Sequence, residues 1–152
     1  MNFIHPNATI SNTAKVWHFA VIHNFVILCD GVNIGSRAEL SDGCVIGKDT
    51  RIGSGVFLPP NSIVGQRVFI GPNTTFTDDK HPKAGNKNYK ADPPMIEDDA
   101  SIGAGCVILP GVRIGKNAVI GAGSVVAKDV PAGTVVYGDA ATIKPQTAPP
   151  AP

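Results

Sequence analysis

Residues 34–52 read IGSRAELSDGCVIGKDTRI, with an aliphatic side chain at every sixth position: Ile34, Leu40, Ile46 and Ile52. The same interval runs without a polar exception from Ile4 to Phe76, and it resumes from Ile96 to Val126. An amphipathic helix would space its apolar residues by three and four, and a half-buried strand would space them by two. A strict interval of six therefore indicates a repeat architecture.

A second series lies four residues after each aliphatic position and consists of small or β-branched side chains, such as Ala38, Cys44 and Thr50, with Lys80 as the exception. The two series predict an all-β fold, a parallel β-helix. Its aliphatic side chains point inward from each flat face, and the small ones point inward near each corner. Three hexads close a triangular coil, so the chain is expected to form about six coils, stacked roughly 4.8 Å apart like paired strands.

The composition fits one solenoid domain over residues 1–143, followed by a Pro- and Ala-rich tail at 144–152. Only 16% of the 152 residues are charged and the formal net charge is +1, so no nucleic-acid partner is expected. The chain begins MNFIHP and enters the repeat at once, without a basic or an apolar leader. We therefore expect a cytoplasmic protein with no membrane association.

The repeat is interrupted once, between Phe76 and Ile96, where the interval of twenty is not a multiple of six. The chain must leave the coil near Thr77 and return near Met95, which predicts one extruded loop over residues 77–95. This segment is polar, rich in lysine and nearly free of aliphatic residues. A long polar loop on a rigid repeat is a common place for a functional site.

Repeated Ile-Gly pairs, such as Ile34-Gly35 and Ile46-Gly47, resemble the hexapeptide signature of left-handed β-helical acyltransferases, from residue 4 to about 140. The left-handed sense of the predicted coil comes from that resemblance. Within the group, three segments are similar to N-acetyltransferases that act on UDP- or dTDP-linked 3-amino sugars. These segments are VWHF at 16–19, FTDDKHPK at 76–83 and IGAGSVVAKDVP at 120–131.

The resemblance implies an acetyl-CoA-dependent N-acetyltransferase of surface glycan biosynthesis that acylates a nucleotide-linked amino sugar. Asp78 stands where the family has Asn, and we expect it to contact the amine. The attacking amine must lose a proton, and Asp78 and His81 are the loop side chains that could accept it. In some relatives the departing thiolate is thought to take this proton instead. Lys80 and Lys83 are the expected contacts to the nucleotide diphosphate.

The family binds CoA in a groove between neighbouring subunits of a homotrimer, and no metal is implied. Ala104 and Ala122 lie in Gly-Ala-Gly turns that leave room for a pantetheine arm, and Lys128 and Lys144 are the candidate contacts to the CoA phosphates. The end of the groove departs from the family, since GDAA at 138–141 replaces Gly-Asn-Pro-Ala. A trimer would be stabilised by burying apolar residues that are expected on the outer faces: Val21, Phe25, Phe57 and Phe69.

Three other functions are possible on the same fold. An O-acetyltransferase would need a firm base for a hydroxyl acceptor, and His81 is the candidate. A non-catalytic scaffold would not explain the loop. A zinc enzyme resembling β-helical carbonic anhydrases could use His18 and His23, but the third histidine, His5, is too near in sequence for that family's pattern.

Overall fold

A computed structural model describes residues 1–144, and within this range the chain forms a left-handed parallel β-helix with no α-helix. The fold predicted from the six-residue interval is confirmed. Of the predicted tail, only Lys144 falls within the described residues. No helix able to cross a membrane is present in the described range.

Short strands, most of them two residues long, build three flat faces. Sheet 1 contains Phe3–Ile4 (β1), Val21–Ile22 (β4), Glu39–Leu40 (β7), Phe57–Leu58 (β10), Thr75–Phe76 (β13), Val107–Ile108 (β16) and Val125–Val126 (β19). Sheet 2 contains Thr9–Ile10 (β2), Ile27–Leu28 (β5), Val45–Ile46 (β8), Ile63–Val64 (β11), Met95–Ile96 (β14) and Arg113–Ile114 (β17).

Sheet 3 completes the triangle and carries the C-terminal cap. It contains Lys15–Val16 (β3), Asn33–Ile34 (β6), Arg51–Ile52 (β9), Phe69–Ile70 (β12), Ser101–Ile102 (β15), Val119–Ile120 (β18), Val135–Tyr137 (β20) and Thr142–Lys144 (β21). The last two strands form an antiparallel hairpin, whereas all other pairings are parallel. The hairpin turn contains Gly138 at φ 112°, within the GDAA segment.

Each inward side chain lies over its counterpart one coil away, because the strands pair in an unshifted register such as Leu40 with Leu58. From Ile22 to Val126 every inward aliphatic side chain is at most 2% exposed. The first coil is the exception, with Ile4 at 43%, since no coil covers its outer end. The interior of the prism is therefore one continuous apolar column.

The second inward series also lies in the core, as predicted. From Ala20 to Val130 its members are between 0% and 4% exposed, except Lys80, which lies in the loop and is exposed. Its hydroxyl groups bond to carbonyl groups of the turns, as Ser62 Oγ does to Pro59 O at 2.7 Å and Thr50 Oγ1 to Gly65 O at 2.7 Å. A buried hydroxyl group is tolerated there because it is hydrogen-bonded.

The structure has seven coils where the hexad count gives about six. Val130 bridges to Ile114 and Val136 pairs with Ile120, so both take core positions after the last regular hexad. The interval between partners is sixteen residues in this coil, eighteen in the other coils without the loop, and thirty-two across the loop. A periodicity search that demands an interval of six misses the last coil for this reason.

The corners require residues in the left-handed backbone region, which asparagine, aspartate and glycine adopt most readily. Asp49 and Asn61 occupy such positions at φ 57° and 61°. Phe25 does so too, at φ 56°, so it lies in a turn and not on a flat face as predicted. Gly35 is required for a different reason, since a Cβ atom there would lie 2.4 Å from the backbone nitrogen of Ser54.

Replacing one inward side chain should destabilise the fold far more than replacing its outward neighbour. Ile120 is 1% exposed, and Ile120→Ala should lower the free energy of unfolding by about 2 to 5 kcal/mol, because it removes buried area and leaves a cavity. Val119→Ala, on the outer surface of the same strand, should cost less than about 1 kcal/mol. Denaturant unfolding of both variants is the measurement, and equal losses would contradict the inward assignment.

The three cysteine thiols should differ in reactivity in the native state. Burial raises the pKa of Cys44 to about 11, and it also raises the pKa of Cys106, whereas Cys29 is half-buried. Since the thiolate is the reactive form, a disulfide reagent at pH 8 should modify Cys29 first. The other two thiols should react only after unfolding, and fast modification of all three in the folded protein would contradict this packing.

Candidate active site at the extruded loop

The loop leaves the prism at the edge between sheets 1 and 2. It begins after β13 and ends at Met95, the first residue of β14. Thr77 makes the last ladder contact, since its N–H and its hydroxyl group both donate to Ile108 O, at 3.0 and 3.1 Å. Asp92 N–H donates to Asp78 O at 2.9 Å, and Gly111 N–H donates to Asp92 O at 2.7 Å. These bonds tie the two ends of the loop to each other and to the next coil.

An ion pair joins the two arms of the loop near its base. Lys80 Nζ lies 2.5 Å from Asp92 Oδ2, and both side chains are substantially exposed. The Lys80 ammonium group is thus already paired before any ligand is bound. Lys83 is exposed and forms no side-chain hydrogen bond or ion pair within residues 1–144. Of the two lysines predicted to contact the substrate, Lys83 has the unengaged charge.

Asp78 is held by a residue that the sequence did not single out. The Tyr89 hydroxyl group donates to Asp78 Oδ2 at 2.5 Å, across eleven residues of the loop. This hydrogen bond to the carboxylate raises the pKa of Tyr89 to about 12, with smaller contributions from desolvation and from the Asp78 charge. One oxygen of Asp78 is therefore occupied by a neutral donor. Tyr89 carries the only phenol of the loop, which is the one signal that could have identified it.

Asp78 and His81 line two different cavities. A groove of about 650 Å³ lies where the loop meets sheet 1, and Asp78 lines it together with Phe57, Thr75 and Leu109. We call this the apolar groove. The second cavity, of about 400 Å³, lies within the loop and is lined by His81, Asp79, Asn86, Asn88 and Lys90 among others.

His81 is anchored through its main chain and not through its ring. Its backbone N–H donates to Asp79 Oδ1 at 2.8 Å, and its side chain is exposed. No hydrogen bond joins His81 to Asp78 in the described structure. The two predicted proton acceptors are thus neighbours in sequence, but the structure does not bring them into one pair.

Ala104 and Ala122 lie on the other edge of sheet 1, where it meets sheet 3. The two turns stack directly, since a Cβ atom on Gly103 would lie 2.4 Å from Ala122 N, and both alanines are exposed. Their backbone N–H groups form no hydrogen bond within residues 1–144. The structure therefore presents a column of free donors at this edge, on the opposite side of sheet 1 from the loop.

The two lysines predicted to contact the cofactor lie near the C-terminal end of the prism. Lys128 is exposed in the last coil, on the same edge as the loop, and lines a cavity of about 370 Å³. Lys144 Nζ lies 4.8 Å above the ring centroid of Tyr137, a cation–π contact across the terminal hairpin. Within residues 1–144, neither lysine side chain forms a hydrogen bond or an ion pair with the alanine column.

His18 and His23, the candidate zinc ligands, do not lie together. His18 lies in the turn between sheets 3 and 1, whereas His23 lies in the turn between sheets 1 and 2, with Nε2 3.1 Å from Glu39 Oε1. Within the described residues, no three His, Cys, Asp or Glu side chains are grouped as metal ligands. A zinc site built within one chain is not supported by this arrangement.

Two protein-family models match the repeat. The bacterial transferase hexapeptide model matches residues 43–78 and 93–128, and the hexapeptide repeat of succinyl-transferase matches residues 26–59. Residues 79–92, which are most of the loop, fall in the gap between the two matched blocks of the first model, whereas Asp78 is the last residue of the first block. The two models therefore match much of the repeat but not the greater part of the loop.

Individual relatives extend the comparison. A 2,3,4,5-tetrahydropyridine-2,6-dicarboxylate N-acetyltransferase of Staphylococcus aureus (strain bovine RF122 / ET3-1) is 58% identical over 53 residues, 35% of this chain and 22% of that protein. The match thus spans about a fifth of the curated relative. A hexapeptide-repeat acetyltransferase of Vibrio cholerae, complexed with acetyl coenzyme A, is 31% identical with a TM-score of 0.62, over 83% of this chain and 67% of that one.

A third comparison concerns an enzyme with a different acceptor. The serine acetyltransferase of Neisseria gonorrhoeae is 27% identical with a TM-score of 0.53, over 82% of this chain and 41% of that chain. Acetyltransferases with different named acceptors thus share similarity with this chain.

The hydrogen bond between Tyr89 and Asp78 should be visible as a suppressed phenol ionisation. In a Tyr137→Phe background, Tyr89 is the only tyrosine. At pH 10 an ordinary phenol is half ionised, whereas a phenol with a pKa near 12 is ionised to about one part in a hundred. Phenolate absorbance should therefore be nearly absent at pH 10 and should rise markedly when Asp78→Asn is added. Half ionisation at pH 10 with Asp78 intact would show that the bond is not formed in solution.

Proposed function

We propose, because the chain belongs to the bacterial hexapeptide-repeat transferase family, that it transfers an acetyl group from acetyl-CoA to the amine of a nucleotide-linked amino sugar. The observation that carries this proposal is Asp78, a carboxylate held by Tyr89 at the mouth of the apolar groove. A carboxylate in that position suits an amine, because it attracts an ammonium group and can accept its proton.

The proposed reaction is a direct acyl transfer. The neutral amine nitrogen attacks the thioester carbonyl carbon, a C–N bond forms, and the C–S bond breaks with release of the CoA thiolate. The nitrogen then gives up one proton, either to the Asp78 carboxylate or to the departing thiolate. Asp78 orients the amine in both cases, and the two routes differ only in where the proton ends.

The alanine column supports the cofactor part of the proposal. The exposed N–H groups of Ala104 and Ala122 offer donors to the amide carbonyls of a pantetheine arm and to a developing oxyanion. When bound, acetyl-CoA supplies the thioester carbonyl and the thiolate leaving group. Lys128 and Lys144 belong to the proposal as contacts to the CoA phosphates. No metal is part of the proposed mechanism.

We propose a homotrimer with shared sites, which is supported by where these groups lie. The loop and the alanine column occupy opposite edges of sheet 1 in a single chain. Placing the loop edge of one subunit against the alanine edge of the next would bring both groups to one groove. Apolar side chains on the outer surface of sheet 1, such as Phe57 and Val107, would then be removed from water.

Two kinds of acceptor are compatible with the charges of the loop. A UDP- or dTDP-linked 3-amino sugar is supported by the FTDDKHPK segment, and Lys83 is the free charge available to a diphosphate. A small dicarboxylate acceptor, as named for the Staphylococcus aureus relative, would meet the same lysine. The role in surface glycan synthesis and a cytoplasmic location, where acetyl-CoA is made, complete the proposal.

The proposal is tested by following thiol release from acetyl-CoA with a panel of acceptors. The panel contains UDP- and dTDP-linked 3-amino and 4-amino sugars, an amino dicarboxylate, and serine as a hydroxyl-bearing compound. Asp78→Ala should lower kcat/KM for the active amine by about a hundredfold or more, because it removes the group that orients and deprotonates the amine. The kcat/KM of Asp78→Asn should lie between those of the wild type and Asp78→Ala if the thiolate can take the proton.

Matched variants separate the proposed base from its neighbours. Asp49→Asn, a change of the same kind on a distant edge, should leave turnover unchanged. His81→Ala should reduce amine acetylation by no more than a few-fold, since its ring does not contact Asp78. Loss of all activity in His81→Ala, together with a hydroxyl acceptor, would favour O-acetyl transfer. Absence of thiol release with every acceptor, and of acetyl-CoA binding by calorimetry, would favour a scaffold.

A further inference from the structure

A second concave surface lies on sheet 3, away from the loop. It has a volume of about 440 Å³, crosses strands β6, β9 and β12, and reaches Trp17, the residue after β3. Its side chains include Trp17, Asn33, Arg51 and Phe69, and it shares no lining residue with the apolar groove. We call it the tryptophan groove.

The polar and aromatic groups of this groove are ordered along the prism axis. Asn33, Arg51 and Phe69 are successive strand partners, so they form one row with neighbours roughly 4.8 Å apart. Lys15 precedes Asn33 in that row, and Trp17 directly follows β3; its indole N–H donates to Asn33 Oδ1 at 2.9 Å. This bond fixes the indole ring, which is 51% exposed, and leaves the amide N–H groups of Asn33 available.

The guanidinium group of Arg51 has no partner within residues 1–144. Arg67 and Arg113 are paired with Asp99 and Glu97, but Arg51 forms neither an ion pair nor a side-chain hydrogen bond in that range. It is exposed, and the groove contains no carboxylate. The groove therefore presents an unopposed positive charge beside an exposed aromatic face.

The outer surface of sheet 3 differs from that of sheet 2. Along sheet 2 the outward row is largely apolar: Ile27, Val45, Ile63 and Met95. The corresponding row of sheet 3 begins with Lys15, Asn33 and Arg51. Burial against another copy of the chain suits the apolar row, whereas the polar row suits a charged ligand that brings its own hydrogen-bonding groups.

We propose that the tryptophan groove binds a nucleoside diphosphate. The base stacks on the Trp17 indole, the Asn33 amide donates to acceptors on the base, and the Arg51 guanidinium group binds the diphosphate. Aromatic stacking accepts any base, and a guanidinium group matches phosphate oxygens with two parallel hydrogen bonds. The ligand can be the nucleotide of a second nucleotide-sugar molecule or the adenosine phosphate portion of a second CoA molecule, in addition to the ones placed at Lys83 and at Lys128 and Lys144. The binding is independent of the acetyl transfer proposed above.

The chain contains a single tryptophan, so its fluorescence reports directly on the groove. The ligands are UDP, dTDP, ADP and adenosine 3′,5′-bisphosphate, with uridine, thymidine and adenosine as matched compounds without phosphate. Diphosphates should quench Trp17 and bind about tenfold or more tightly than their nucleosides. Arg51→Ala should weaken diphosphate binding by about tenfold or more and leave nucleoside binding unchanged. Lys48→Ala, on another edge, should leave both unchanged.

The outcomes separate the two sources of the nucleotide. Tighter binding of UDP or dTDP than of the adenine compounds assigns the groove to a nucleotide sugar, and the reverse assigns it to CoA. Absence of quenching at millimolar ligand, with calorimetry also showing no binding, would overturn the proposal. Diphosphate binding by Arg51→Ala equal to that of the wild type, with an unchanged circular dichroism spectrum, would also overturn it. The binding experiment contains no acetyl donor and so does not depend on acetyl transfer. If the protein binds diphosphates at this groove but transfers no acetyl group, only the proposed function is contradicted.

Discussion

The stacking of aliphatic side chains along the interior of the prism is the contact on which the rest of the structure depends. Leu40 and Leu58 illustrate it: each is fully buried, and each lies over the other in adjacent coils. Because every buried methylene group is worth about 0.8 kcal/mol, the sixteen buried positions from Ile22 to Val126 stabilise a chain whose strands are mostly two residues long. The register that this column imposes also fixes the edge and the coil on which every outward side chain lies.

Such a column leaves no room for chemistry inside the fold. Polar groups can be brought together only on the outer faces, at the edges, or in a segment that leaves the coil. The loop between β13 and β14 is that segment, and its polar contacts join its own arms: Tyr89 to Asp78 and Lys80 to Asp92. A rigid prism also keeps the loop and the alanine column apart in one chain, which is the physical reason for proposing a site between two chains.

The interior could be predicted from the sequence because each core position repeats at a constant interval, and the interruption at Thr77 was visible as a loss of that interval. The last coil was missed because the aliphatic positions step by four residues from Val126 to Val130 instead of six, so that Val130 and Val136 pair with Ile114 and Ile120. Within the loop no interval exists, so the pairing of Asp78 with Tyr89 and its separation from His81 depend on a chain path that composition does not encode. Phe25 was misplaced because aromatic residues rarely occupy a left-handed turn.

Subunit mixing tests the central claim of a shared site most directly. Asp78→Ala chains lack the loop carboxylate, and Ala122→Trp chains block the alanine column, so each variant alone should be inactive. In trimers reassembled from equal amounts of both variants, a site is complete only when an Ala122→Trp chain supplies the loop and an Asp78→Ala chain supplies the alanine column. Random assembly completes about one quarter of the sites, so about one quarter of wild-type activity is expected. Recovery near that level is the predicted result. Mixed assemblies, verified by native mass spectrometry, that remain inactive would contradict the account.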